Sequence, residues 1–157
     1  MKVSDIMTAS VDSIRSTDTI AYGARRMAEV DSGALPILSN GKLVGIVTDR
    51  DIAVRAVAAG IAPDVPVQRI MSGMVATCRP DDDVGCVLAL MSREQIRRMP
   101  VCADGREVVG IVALADLAAH APDKEDVADT LADICERGGL HCQTEHQVEA
   151  SFEEMVK

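Results

Sequence analysis

The chain repeats itself, and the repeat limits what it can fold into. Val3-Ser4-Asp5-Ile6-Met7-Thr8 returns 64 residues later as Val67-Gln68-Arg69-Ile70-Met71-Ser72. Leu35-Pro36-Ile37 returns at the same offset as Met99-Pro100-Val101. Val44-Gly45-Ile46-Val47 returns unchanged as Val109-Gly110-Ile111-Val112, now 65 residues on, because one residue is inserted after Gly105. Self-similarity over this length makes the halves structural equivalents. A half of about 60 residues holds too little core to stand comfortably alone. The expectation is one packed unit over residues 1–122, with the two sheet faces buried on one another and function in the cleft between the halves.

Composition narrows the chemistry. Apolar residues make up 48% of the 157, enough for a core, but aromatics are only Tyr22 and Phe152. The core is therefore aliphatic, and the chain lacks platforms for stacking single-stranded bases. A net charge of −9 argues against a nucleic-acid backbone as partner. It leaves room for one small anionic ligand at a locally basic spot, with Arg50, Arg97 and Arg98 as candidates. The sequence contains no run of 18 apolar residues, so no membrane span is expected. The opening residues lack a signal-peptide apolar block, which makes the cytoplasm the default compartment. Five cysteines without a secretion signal read as reduced thiols. Cys78, Cys86 and Cys102 are expected to fill core space as small hydrophobes.

Each half reads as β-α-β-β-α. In the first, residues 11–14 form a short strand, and Thr17-Asp18-Thr19 precedes a helical stripe at Ile20, Ala24, Met27 and Ala28. Residues 35–38 and 43–47 flank Ser39-Asn40-Gly41-Lys42, a hairpin signal. A second helix runs over about 49–59 and stops at Gly60. In the second half, residues 75–78 make the short strand, and Val84, Val87, Leu88 and Met91 make the helical stripe. Residues 100–102 and 108–112 form the hairpin around Asp104-Gly105, and the last helix spans about 114–120. Residues 61–66 connect the halves, leaving 1–60 and 67–122 as the repeats and 123–157 as a helical or partly disordered tail.

This order and these motifs resemble the tandem CBS domain pair, or Bateman module. The residues that carry the resemblance are Asp5-Ile6-Met7-Thr8, Gly33-Ala34-Leu35-Pro36-Ile37 and Gly45-Ile46-Val47-Thr48-Asp49-Arg50-Asp51-Ile52 in the first copy. In the second they are Arg69-Ile70-Met71, Arg97-Arg98-Met99-Pro100-Val101 and Gly110-Ile111-Val112, followed by Asp116. The resemblance implies an α/β (α+β) fold of two repeats packed about a pseudo-two-fold axis, usually as a homodimer. Ala53, Val54, Val57 and Ala58 offer an apolar helix face for that contact. It also implies a regulatory, non-catalytic module binding AMP, ADP, ATP, NAD or S-adenosylmethionine and signalling in trans to an unidentified protein partner. The alternative within the same fold is a stress-response or interaction scaffold with no working nucleotide site.

Site residues follow from the same match. Gly45 would let another group approach the backbone closely. Thr48 would sit at a helix N-terminus suited to phosphate, and Asp51, one turn in, would accept the two ribose hydroxyls. Thr-x-x-Asp is equally a capping box that needs no ligand. The implied nucleotide site is Ile46, Thr48, Arg50 and Asp51 with Ala76, Ile96 and Arg98 from the other copy. A second, weaker site would use Ile111, Asp116, Val11 and Gly33; there Ala113 replaces the hydroxyl residue, and Asp12 and Asp31 would repel phosphate. In the tail, Val127, Leu131 and Ile134 share a helix face. Cys135, His141, Cys142 and His146 fall within 12 residues, but adjacent ligands such as His141-Cys142 are hard to aim at one ion, so no metal is assigned. The three histidines lie at or beyond the last repeat helix, and no nucleophile elbow, Walker loop or Rossmann fingerprint is present, so no enzyme is expected.

Overall fold

The computed structural model describes residues 1–120 and 124–136. In the first repeat, β1 (Ile14–Arg15) pairs in parallel with β2 (Ala34–Ser39), which pairs antiparallel with β3 (Lys42–Thr48). Asn40 and Gly41 both take positive φ, 50° and 75°, as a two-residue hairpin turn requires. In the second repeat, β4 (Arg98–Cys102) pairs antiparallel with β5 (Val108–Ala113). The strand expected at 75–78 reduces to a single parallel bridge between Cys78 and Val101. That bridge is the counterpart of the Ile14–Ile37 pairing in β1 and β2. Both hairpins shift register at equivalent points, Ile37/Leu38 and Val101/Cys102.

The helices begin where their caps dictate. α1 (Ile20–Glu29) starts at Thr19, whose hydroxyl accepts the Tyr22 amide at 3.1 Å. α3 (Val84–Glu94) starts at Asp83, whose carboxylate accepts the Gly85 amide at 2.9 Å. The buried face of α1 is Ile20, Gly23 and Met27 rather than the expected Ala24 and Ala28. Val84, Val87, Leu88 and Met91 of α3 point inward as their spacing requires, which leaves Cys86 exposed, not in the core as expected. α2 (Asp49–Asp51) runs straight into a π-helical stretch, Ile52–Val57, with the Ala58 amide reaching back to the Ala53 carbonyl. Gly60, at φ 68°, ends it. α4 (Leu114–His120) follows β5 directly.

The two repeats join by exchanging their lead-in segments. A single 3₁₀ turn, Val3–Asp5, precedes the first repeat but packs on the second: Val3 belongs to the cluster of Val84, Val87, Leu88 and Met91, and its amide donates to the Asp82 carbonyl. The matching turn, Val67–Arg69, packs on the first repeat: Val67 and Ile70 join Ile14, Ile20 and Ile37, and the Val67 amide donates to the Asp18 carbonyl. Among the described residues the apolar core is thus two clusters, one per repeat, rather than one layer between facing sheets. Gly45 and Gly110 mark where the crossing chains touch. A Cβ on Gly45 would lie 2.6 Å from Met71 Sδ, and one on Gly110 would lie 2.6 Å from Met7 Sδ. Close approach at Gly45 therefore serves the other lead-in, not a ligand.

Part of the tail is also core. α5 (Lys124–Cys135) packs against α3 and α4, with Val127 and Ile134 inside the second repeat's cluster. Among the described residues, no helix is long and apolar enough to cross a membrane.

Candidate functional site

The junction of β3 and α2 builds the most polar buried cluster in the first repeat. Thr48 is extended (φ −117°, ψ 162°) and caps the helix that follows. Its hydroxyl accepts the Asp51 amide at 3.1 Å. Asp51 Oδ2 in turn accepts both the Thr48 amide and the Thr48 hydroxyl, each at 2.8 Å. This is a reciprocal capping box. Asp51 is only 2% exposed, and its second oxygen lies 3.4 Å from Arg55 Nε. Arg55 spends another nitrogen on the second repeat's lead-in, donating to the Ile70 carbonyl at 3.0 Å and the Ser72 hydroxyl at 3.2 Å. Ser72 and Ile46 close the seam through two backbone bonds of 2.9 and 3.0 Å. A buried carboxylate is tolerated because it is paired and hydrogen-bonded.

Beside this cluster a cleft of about 340 Å³ opens between the repeats. The first repeat lines it with Gly33, Ala34, Ile46, Thr48, Asp49 and Arg50; the second lines it with Ser72, residues 74–76 and residues 94–98. Ile134 and Cys135 at the end of α5 complete it. Its lining combines apolar Ile46, Val75, Ala76 and Ile96 with charged residues among which Arg50, Arg97 and Arg98 outnumber Asp49 and Glu94. In a chain of net charge −9, this is a locally basic concavity.

The structure gathers Ile46, Thr48, Arg50, Ala76, Ile96 and Arg98 around this one cleft. Asp51 is not among the residues that line it, and its carboxylate contacts Thr48 and Arg55. Gly33, assigned to the second site from the sequence, lines the first cleft instead: a Cβ there would stand 2.9 Å from Asp49 Oδ2 and 3.6 Å from Arg98 Nη1. At the other junction Asp116 accepts the Ala113 amide at 2.8 Å, a cap with no hydroxyl in it. Ile111 there bridges to Thr8, and Val11 is half-buried. Asp12 is ion-paired with Arg26. Ser72, Gln95, Ile134 and Cys135 were not singled out for the cleft from the sequence. Only Ser72 carried a signal, as the repeat counterpart of Thr8.

Of the possible tail ligands, Cys135 is described; His141, Cys142 and His146 lie outside the described residues. Among the described residues, no three His, Cys, Asp or Glu side chains cluster as a metal site. Burial, with the nearby Asp82 carboxylate, pushes the Cys78 thiol up to about 12. Burial also raises Cys102.

Comparison with known proteins fits this architecture. The CBS domain family model matches residues 3–57 and 67–123. The CBS domain-containing protein YhcV of Bacillus subtilis is 37% identical over 132 residues, covering 84% of this chain and 94% of YhcV. Among solved structures, the CBS domain pair of protein MJ0100 in complex with 5′-methylthioadenosine and S-adenosyl-L-methionine superposes with a TM-score of 0.70 at 34% identity, covering 76% of this chain and 98% of that one. Hypoxic Response Protein I with two coordinated zinc ions superposes at 0.71 and 34% identity, covering 78% and 100%; the protein of that name is from Mycobacterium tuberculosis. The chain belongs to the CBS domain family and carries its CBS domains as a tandem pair.

Proposed function

We propose that this chain is a regulatory sensor, not an enzyme, that takes one adenosine-containing ligand in the cleft between its repeats and signals in trans. The observation that carries this is the composition of the cleft, which neither repeat forms alone. Ile46, Ala76 and Ile96 offer apolar walls for a purine, Thr48 a hydroxyl, and Arg50, Arg97 and Arg98 charge for phosphate or carboxylate. The adenosyl ligands of the MJ0100 pair support the ligand class. A volume of about 340 Å³ lies within the roughly 300–1,000 Å³ range of ligand pockets. For Asp51 to hold a ribose, the sugar hydroxyls must compete for its carboxylate with Thr48, which donates twice to Oδ2, and with Arg55 beside Oδ1.

Calorimetric titration with AMP, ADP, ATP, NAD and S-adenosylmethionine tests the reading. The expected result is one site per chain, with Arg98→Ala weakening a phosphorylated ligand at least tenfold, the loss of about one charge-assisted hydrogen bond. No binding by any of the five would favour the scaffold reading, which the burial of Asp51 already suits. We also propose a homodimer through the exposed face of α2 and the π-helical stretch after it. Val57 is 72% exposed and Val54 40%. Light scattering should give a dimer that Val57→Asp converts to monomer.

A further inference from the structure

The cleft has a contributor that belongs to neither repeat. In α5, Val127, Thr130 and Ile134 are 7%, 5% and 5% exposed and fall on one helix face. They fix the helix on the second repeat. Its last turn is fastened at two points to the end of α3. The Ser92 hydroxyl donates to the Asp133 carboxylate at 2.5 Å, and the Gln95 side-chain amide donates to the Asp133 carbonyl at 3.0 Å. Gln95 is the left-handed residue (φ 50°, ψ 44°) that ends α3 and turns the chain into Ile96, Arg97 and Arg98. It also lines the cleft. One residue thus holds α5, shapes the basic rim and faces the cavity. The next residues of α5, Ile134 and Cys135, reach the cavity themselves.

We infer that α5 is a third wall of the ligand cleft, so that ligand occupancy and docking of the α5 C-terminal turn stabilise each other. The inference rests on the reading of this cleft as an adenosine-ligand site. A bound ligand gains contact with Ile134 and Cys135, and it holds the 94–98 segment in the conformation that presents Gln95 to Asp133. Coupling of this kind is reciprocal: whatever factor docking adds to ligand affinity, the ligand adds to docking. A chain segment outside the two repeats thereby becomes responsive to the ligand, and its exposed Leu131 gives it an outward apolar residue that moves with it.

Thiol labelling of the full chain tests this directly. Cys135 is in the cleft, and Cys86, exposed on α3 and absent from the cleft lining, is an internal reference. The probes are AMP and S-adenosylmethionine, each with binding measured independently by calorimetry. N-ethylmaleimide modification, resolved by peptide mass spectrometry, should slow at Cys135 by about fivefold or more with bound ligand, within the usual range of coupling factors, and stay unchanged at Cys86. Asp133→Ala, at a position that does not line the cleft, should weaken binding about fivefold, and Cys135→Trp should abolish it. If neither probe binds the parent chain, labelling is repeated with ADP, ATP and NAD, and if none of the five binds, the ligand reading and this inference fall together. If a probe binds but Cys135 labelling is unchanged and both variants bind like the parent, the ligand reading stands and the α5 wall is refuted.

Discussion

Removing the Asp51 carboxylate should cost far more than removing its repeat counterpart, Asp116. Both cap the helix that follows a β-hairpin, and both accept a backbone amide at 2.8 Å. Loss of a cap costs about 0.5–2 kcal/mol. Asp116→Ala loses little else, so about 1 kcal/mol is expected. Asp51→Ala also removes the Thr48 hydroxyl's acceptor and the carboxylate that pairs with Arg55, whose side chain is 12% exposed. Breaking one partner of a buried pair costs about 3–5 kcal/mol. Arg55 keeps its bonds to the Ile70 carbonyl and Ser72 hydroxyl, which places Asp51→Ala near the lower end, about 3 kcal/mol. Total stabilities of small domains are about 5–15 kcal/mol, so the variant stays folded but marginal. Urea unfolding followed by far-UV circular dichroism, without ligand, measures the difference; the chain has no tryptophan for fluorescence. The double variant Asp51→Ala, Arg55→Met should recover at least about 1 kcal/mol relative to Asp51→Ala alone, because the mostly buried guanidinium that loses the Asp51 carboxylate is then removed as well. Equal losses at Asp51 and Asp116, or no recovery in the double variant, would refute the role given to Arg55.

The lead-in exchange predicts matched effects at two distant glycines. Gly45→Ala and Gly110→Ala each drive a Cβ to 2.6 Å from a methionine sulfur and to 3.0 or 3.1 Å from a backbone carbonyl oxygen. Each should lose about 1–3 kcal/mol of stability by overpacking, and by similar amounts; a large disparity in urea midpoints would contradict the symmetry of the crossing. The Cys78 thiol predicts a pH effect. An unfolded thiol titrates near about 8.5, while the folded one is pushed up to about 12. Between those values the unfolded chain has lost a proton that the folded chain keeps, so stability falls as pH rises through that window and is unaffected below it. Cys78→Ala should flatten that decline in unfolding midpoints taken from pH 8 to 11.

The parts legible in the sequence were those that local chemistry decides. Asn40-Gly41 between two apolar runs specifies its hairpin turn, and the Val84, Val87, Leu88, Met91 spacing specifies which face of α3 is buried. The lead-in exchange was not legible, because Val3 and Val67 carry the same residue type and either repeat would accept either valine. Only the long-range pairing of Val3 with Asp82 and of Val67 with Asp18 decides which. At the cleft, Thr48 was legible and Arg55 was not. Thr-x-x-Asp is a local motif, whereas the Arg55 contacts to residues 70 and 72 cross from one repeat to the other. The position of Asp51 was ambiguous for a physical reason: a capping carboxylate and a ribose acceptor occupy the same place on the first turn of a helix. Docking of α5 was only half legible, since Val127 and Ile134 announce an apolar face but not the surface that receives it.

The repeat that makes the halves equivalent also shows how they have diverged. Thr48, Asp51, Arg55 and Ser72 in the first junction correspond, by the same offsets, to Ala113, Asp116, His120 and Thr8 in the second. The backbone crossing survives intact, with Thr8 bridging Ile111 as Ser72 bridges Ile46. The polar network does not: Asp116 has no hydroxyl at its cap, and His120 turns its ring to the Asp116 carbonyl at 3.0 Å instead of pairing with a carboxylate. The cationic rim is equally one-sided. Arg97 and Arg98 of the cleft correspond to Gly33 and Ala34, so those positions bring no cationic charge in the first repeat. The scaffold therefore needs both repeats for stability, through the exchanged lead-ins, while the groups suited to an anionic ligand are concentrated at one junction. Symmetry carries the fold and asymmetry carries the chemistry, which is why the ligand site we propose is a single cleft and not a matched pair.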